Sequence, residues 1–196
     1  MTIAVTDTAE FVLRSIVTLL RENIGGGVAA IDSYINALDT SAGLELKGFG
    51  TSDAAGEGTR VYIGEDPALD VQWPNIGLRL VDVSAIPDEV GGFYELVEEY
   101  EALIGVREDC VTSGTSLVTP PQVYRALLIY AQALANCVQD RLRADLASDG
   151  VGRCDWLSTT PIADGFGEVL GYGASWTVRF CTVRLQVKRT YIMNEA

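Results

Sequence analysis

The sequence predicts an α+β domain: an antiparallel or mixed sheet with two main helices packed on one face, and a long C-terminal strand. Three observations carry this. Residues 119–148, "TPPQVYRALLIYAQALANCVQDRLRADLAS", repeat apolar residues at helical spacing. Residues 7–24, "DTAEFVLRSIVTLLRENI", do the same over a shorter span. Residues 75–84, "NIGLRLVDVS", and 175–196, "SWTVRFCTVRLQVKRTYIMNEA", alternate instead, which is the period of a strand.

In the first helix Asp7, three residues before Glu10, reads as an N-cap with its capping-box partner. Phe11, Leu13, Ile16, Val17, Leu20 and Ile24 form the apolar face, and Gly25, Gly26 and Gly27 stop it. "VAAIDSYINALD" is a candidate second short helix. Residues 40–70 are Gly-rich and look like an insertion. In it "LELKG" and "TRVYIG" either pair as a hairpin around "SDAAGEG" or belong to a mobile surface loop. In "NIGLRLVDVS" Ile76, Leu78 and Leu80 fall on one side and Val81 and Val83 on the other, the pattern of a strand buried on part of both faces. "AIPDEVGG" reads as a connection.

Residues 93–108, "FYELVEEYEALIGVRE", fit two periods. A helix would line up Phe93, Leu96, Val97, Tyr100, Leu103 and Ile104. A strand would put Tyr94, Leu96, Tyr100, Ala102, Ile104 and Val106 on one face, interrupted by Glu98. The preceding strand and short connection favour the strand. In the long helix Thr119 is the N-cap and Pro120 and Pro121 suit the first turn. Val123, Leu127, Ala131, Leu134, Val138 and Leu142 make its stripe, which Leu128 and Cys137 widen, and Arg141 and Arg143 suit its C-terminal dipole. "RCDWLSTTPIADGFGEVLGYGA" reads as a short strand and a loop. In the final ribbon Trp176, Val178 and Phe180 share one phase and Val183, Leu185, Val187 and Tyr191 the next. The shift at Cys181 and Thr182 predicts a bulge.

At 196 residues the chain is read as one domain with a buried core. A hydrophobic share of 48% and a charged share of 21% do not indicate disorder. With no apolar run of membrane-span length and no signal-type N-terminus, a soluble intracellular product is expected. Histidine is absent, which removes the commonest general base and metal ligand, so a non-enzyme without cofactor is expected. Cys110, Cys137, Cys154 and Cys181 form no C-x-x-C pair and read as buried free thiols. With 14 Lys+Arg against 27 Asp+Glu, net −13, the chain is ill suited to binding nucleic acid by phosphate neutralisation.

Two glycine and acid clusters lack the spacing chemistry needs. "GFGEVLGYG" is not G-x-G-x-x-G and reads as a turn-rich hairpin. Glu95, Glu98, Glu99 and Glu101 are sequence neighbours, the pattern of a solvated acidic face rather than of a convergent carboxylate site. The last stretch is the exception to the acidity, with Arg179, Arg184, Lys188 and Arg189 against Glu195. These bases are solvated, or touch DNA, or meet the acidic surface of an adjacent subunit. The third reading is favoured, because identical acidic surfaces repel and a basic strip facing an acidic one does not. Such a contact is heterologous, and it forms a ring if the rotation closes.

The order of helix, strand, strand, long "YRALLIYAQALANCVQDRL" helix and closing "TVRLQVKRTYIM" strand resembles the tail terminator and tail-completion or neck proteins of long-tailed bacteriophages. The resemblance implies a virion protein assembled in the host cytoplasm. It implies a homo-oligomeric ring, usually six-fold, on the end of the tail tube. The ring ends polymerisation and meets the neck or connector protein, and DNA passes through its lumen without specific binding. The alternatives are a head-side stopper or connector, a carboxylate-dependent enzyme, and a small-molecule binding module.

Overall fold

The computed structural model describes residues 9–21, 30–49, 61–64, 73–87, 93–112, 118–142, 153–162 and 178–192. The fold is α+β, and the described residues form five strands in one mixed sheet and three α-helices. The helices are α1 (Ala9–Arg21), α2 (Ala30–Ala42) and α3 (Pro120–Cys137), the last running on into a π-helical turn, Val138–Leu142. The strands are β1 (Val61–Ile63), β2 (Asn75–Pro87), β3 (Phe93–Arg107), β4 (Arg153–Ile162) and β5 (Val178–Ile192). They lie in the order β1-β2-β3-β5-β4. Only β1 and β2 are parallel; the other neighbours are antiparallel.

Helices α1 and α3 pack on one face of this sheet, and α2 packs against α3 and α1. Their apolar stripes meet Ile76 and Leu78 of β2, Tyr100, Ala102 and Ile104 of β3, and Cys181, Val183, Leu185 and Val187 of β5 in one core. Along each strand every second side chain reaches this core, as the pleat requires. In α3, Val123, Leu127, Ala131, Leu134 and Val138 are buried as their spacing predicts, and so is Cys137. Leu128 is not: it is 40% exposed and faces away from the core. The start of α3 is held by Gln122, whose Oε1 accepts the Thr119 backbone N–H at 2.8 Å and the Thr119 hydroxyl at 2.9 Å. In α1, Glu10 pairs with Arg14 one turn on, at 2.6 Å. The Asp7 cap, the glycines 25–27 and "GFGEVLGYG" lie outside the described residues.

Residues 93–107 form strand β3, with Tyr100, Ala102, Ile104 and Val106 on the core side and Glu98 among them. Further expectations are corrected. First, "LELKG" does not pair with "TRVYIG". Leu46 bridges Val111, while Val61–Ile63 lies parallel to Ile76–Leu78. The stretch 43–49 is instead fastened to α2 by side chains. Asp39 accepts the N–H groups of Leu44 and Leu46 at 2.9 and 2.7 Å, and Asp32 accepts that of Phe49 at 2.6 Å. The Tyr130 hydroxyl donates to the Lys47 carbonyl at 2.5 Å. Second, "AIP" is not a connection but the end of β2.

The third correction concerns the bulge. β5 pairs with β3 residue for residue from Val178 to Ile192 without a shift, and Cys181 lies with Val183 and Leu185 in the core. The register shifts fall on β2, between Leu80 and Asp82, and on β4, between Trp156 and Ser158. The β2 bulge at Val81 returns Val83 to the same side as Leu78 and Leu80. Leu80, Val81 and Val83 are exposed, so this half of β2 is not buried on both faces.

Candidate assembly surface

The sheet face opposite the helices carries most of the residues expected to act in assembly. Strand parity places Glu95, Glu99 and Glu101 of β3 and Arg184 and Lys188 of β5 there. Successive rows across the sheet alternate in charge. One row runs Arg79, Glu101, Arg184, Ser158. The next runs Asp82, Glu99, Gln186, Asp155, and the third Ser84, Val97, Lys188, Arg153. Rows on one face of a sheet stand roughly 7 Å apart, close enough for neighbouring rows to attract.

Pairing within the rows is partly satisfied inside the chain. Arg79 Nε donates to Glu101 Oε2 at 2.9 Å, and Arg184 Nε stands 4.0 Å from the other Glu101 oxygen. Glu101 is therefore held between two arginines and is buried, while Arg184 keeps half its side-chain surface exposed. Lys188 sits directly opposite Arg153, a repulsive cross-strand pair. Arg153 turns its Nε to Asp155 instead, at 2.8 Å.

The remaining expected residues lie on the helix side. Glu98, 1% exposed, and Arg189, 6% exposed, form a buried ion pair across β3 and β5. The Tyr100 hydroxyl donates to the second Glu98 oxygen at 2.6 Å. Burial, and next the Glu98 carboxylate, push the Tyr100 phenol far above its ordinary range, so it remains a neutral donor. Arg179 is opposite Val106, with Nη1 donating to the Val178 carbonyl at 3.4 Å. The acidic and basic strips expected to meet between subunits thus lie side by side within one subunit. Glu98 and Arg189 are committed to each other, and Arg184, Lys188, Glu95 and Glu99 remain at the surface to varying degrees.

Sequence reading missed two members of this arrangement. Arg79 and Tyr100 carry no motif, and each acts through a neighbour on the sheet. The register of β2 on β3 is the signal that brings Arg79 opposite Glu101. At the other end of the same face the chain is closed over by Trp73, which packs edge-on to Phe180 with centroids 6.1 Å apart and lies under the Arg107 guanidinium. Gly105 makes room for it: a Cβ there would stand 2.6 Å from the Trp73 ring.

The four cysteines are buried. Burial pushes the thiols of Cys110, Cys154 and Cys181 up to about 12. Among the described residues no three His, Cys, Asp or Glu side chains gather as a metal site, and no helix is long and apolar enough to cross a membrane. No protein-family model matches the chain, and no curated protein matches it.

Proposed function

We propose that this chain is a structural virion protein that forms a ring on the end of a phage tail tube, stops its growth and joins it to the head connector. The observation that carries the reading is the one-sided sheet. Helices cover one face, and the other presents alternating rows of charge around the central strands β3 and β5. Such a face suits repeated, oriented contacts with other protein subunits more than it suits a substrate, because its polar groups are spread in rows and do not converge on one point. The element order supports the same reading in part: it contains the series α1, β2, β3, α3, β5 on which the resemblance to tail terminators rests, with α2, β1 and β4 added. The net charge of −13 suits a lumen through which DNA passes without sticking.

The test is the native mass by light scattering across a wide concentration range, followed by binding to isolated tail tubes. Six copies of 21.1 kDa give about 127 kDa. A species of that mass that binds tube ends and blocks their further growth is the expected result. Binding to portal complexes in preference to tubes would move the protein to the head side, as a stopper. Failure to bind either would overturn the reading.

A further inference from the structure

Among the described residues the two rims of the sheet are open at complementary places. On one side β1 pairs with β2 only along Ile76–Leu78, and Gly64 N–H closes that contact on the Leu78 carbonyl at 2.9 Å. From Arg79 to Pro87, β2 has a strand on its β3 side alone among the described residues. On the other side β4 is the last strand, with only β5 beside it among the described residues. An unpaired edge offers a row of backbone donors and acceptors to any strand that can lie along it.

Both rims also expose apolar side chains. Leu80, Val81, Val83 and Ile86 of β2 are between 36% and 51% exposed, and Trp156 and Leu157 of β4 are 37% and 41% exposed. These are the greater part of the large exposed apolar residues among the described residues. The two groups share one height: Leu80, Tyr100, Leu185 and Trp156 form a single row across the sheet, and each edge strand bulges beside that row. Proline interrupts backbone donation only at the far ends, at Pro87 and Pro161, so Leu80–Ile86 and Arg153–Leu157 keep their N–H groups.

Strand direction decides which edge meets which. The four strands β2, β3, β5 and β4 alternate, so β2 and β4 run in opposite directions. A second copy placed beside the first by rotation alone brings its β4 antiparallel to β2, the better-bonded pairing. We infer that the Leu80–Ile86 edge of β2 pairs antiparallel with the Arg153–Leu157 edge of β4 in an adjacent copy of this chain. Charge sets the offset. At equal height Asp82 would face Asp155 of the adjacent copy, and the lower half of that β4 would run into β1. Sliding the adjacent copy along β2, away from β1, removes both conflicts. The contact is heterologous and leaves each copy one free edge of each kind, so it repeats until the rotation closes. It deepens the ring reading above and rests on it for the closure.

The test is cross-linking between copies. Ser84→Cys and Arg153→Cys place thiols on exposed outer-face positions of the two edges, while the four native thiols stay buried. A bifunctional maleimide should join subunits only when the two variants are mixed, and the double variant should give a ladder. Cross-linking of Ser84→Cys with itself would mean a two-fold contact and overturn the inference. A higher-mass species with no cross-link in the mixture would overturn it too, while leaving ring formation intact. A monomer at every concentration overturns it as a self-standing contact, and tube binding then judges the function separately. Val83→Lys gives an independent readout. A lysine on the edge should raise the half-assembly concentration at least about tenfold without changing the unfolding midpoint. Unchanged assembly would overturn the inference.

Discussion

Glu98 and Arg189 are the residues on which the order of the sheet interior depends most. Each is a charge taken out of water, and each is tolerated because the other is there. Removing one partner alone, by Glu98→Ala or Arg189→Met, is expected to destabilise the fold by about 3–5 kcal/mol. Replacing both, Glu98→Leu with Arg189→Met, should recover most of that loss. Urea unfolding of the two single variants and the double variant measures the coupling, and additive losses would show that the pair does not act as a unit. The cysteines make a second residue-scale expectation. Their burial, and thiols raised to about 12 in three of them, keep the reactive thiolate scarce and out of reach. A thiol reagent at pH 8 should therefore leave the folded protein unlabelled and label all four cysteines once it is unfolded. Rapid labelling of the native chain would place a thiol at the surface.

Among the elements, the helices were the most legible in the sequence and the edge strands the least. A helical stripe such as Val123, Leu127, Ala131 and Leu134 repeats over enough turns to outvote single exceptions like Leu128. Strand β3 was legible because Tyr100, Ala102, Ile104 and Val106 alternate, and Glu98 looked like an interruption only because its partner Arg189 is far along the chain. The bulges were misplaced for a physical reason. A bulge is a property of two strands in register, and one strand read alone shows only a change of phase. Phe180 packs on Trp73 on the outer face, which buried Val178 shares by strand parity, so the phase change in β5 records a switch between two apolar environments with no extra residue. Gly105 belongs to the same corner. Gly105→Ala should cost about 1–3 kcal/mol, since the new methyl would meet the Trp73 ring, the Asn75 side chain and the Phe180 ring at 2.6, 2.9 and 3.0 Å. Thermal or urea unfolding checks it, and a neutral result would mean that Trp73 moves aside freely.

At the scale of the whole molecule, net charge and edge contact pull in opposite directions. Copies at −13 repel, while apolar side chains and backbone hydrogen bonds along β2 and β4 attract. Raising the salt from about 0.05 to about 0.5 M shortens the screening length to a few ångströms and should therefore strengthen assembly. A contact made mainly of opposite charges would weaken instead, so one light-scattering series separates the two. Reversing Arg184 and Lys188 to glutamate changes the net charge by −4, from −13 to −17. That variant should assemble more weakly at low salt, recover at high salt and leave the monomer folded. The candidate surface was legible in its composition, in that a basic β5 and an acidic β3 stood out from the sequence. Which charges meet inside the chain was not, because that depends on the register of strands far apart in sequence.

The position of β5 has a consequence in time. β3 pairs with β2 before it in the chain, but β3 and β4 share no ladder; among the described residues β4 is joined to the sheet through β5, which follows both in the chain. Until residues 178–192 have left the ribosome, β4 lacks the strand it pairs with among the described residues, and Glu98 lacks Arg189. The sheet therefore cannot close by stepwise addition of strands as they emerge. It closes by insertion of a late strand between two earlier ones, and the β4 edge exists only after that event. The β2 edge can form with β3 alone, but the β4 edge waits for β5, so a nascent chain stopped short of β5 lacks one of the two edges with which to join its neighbours.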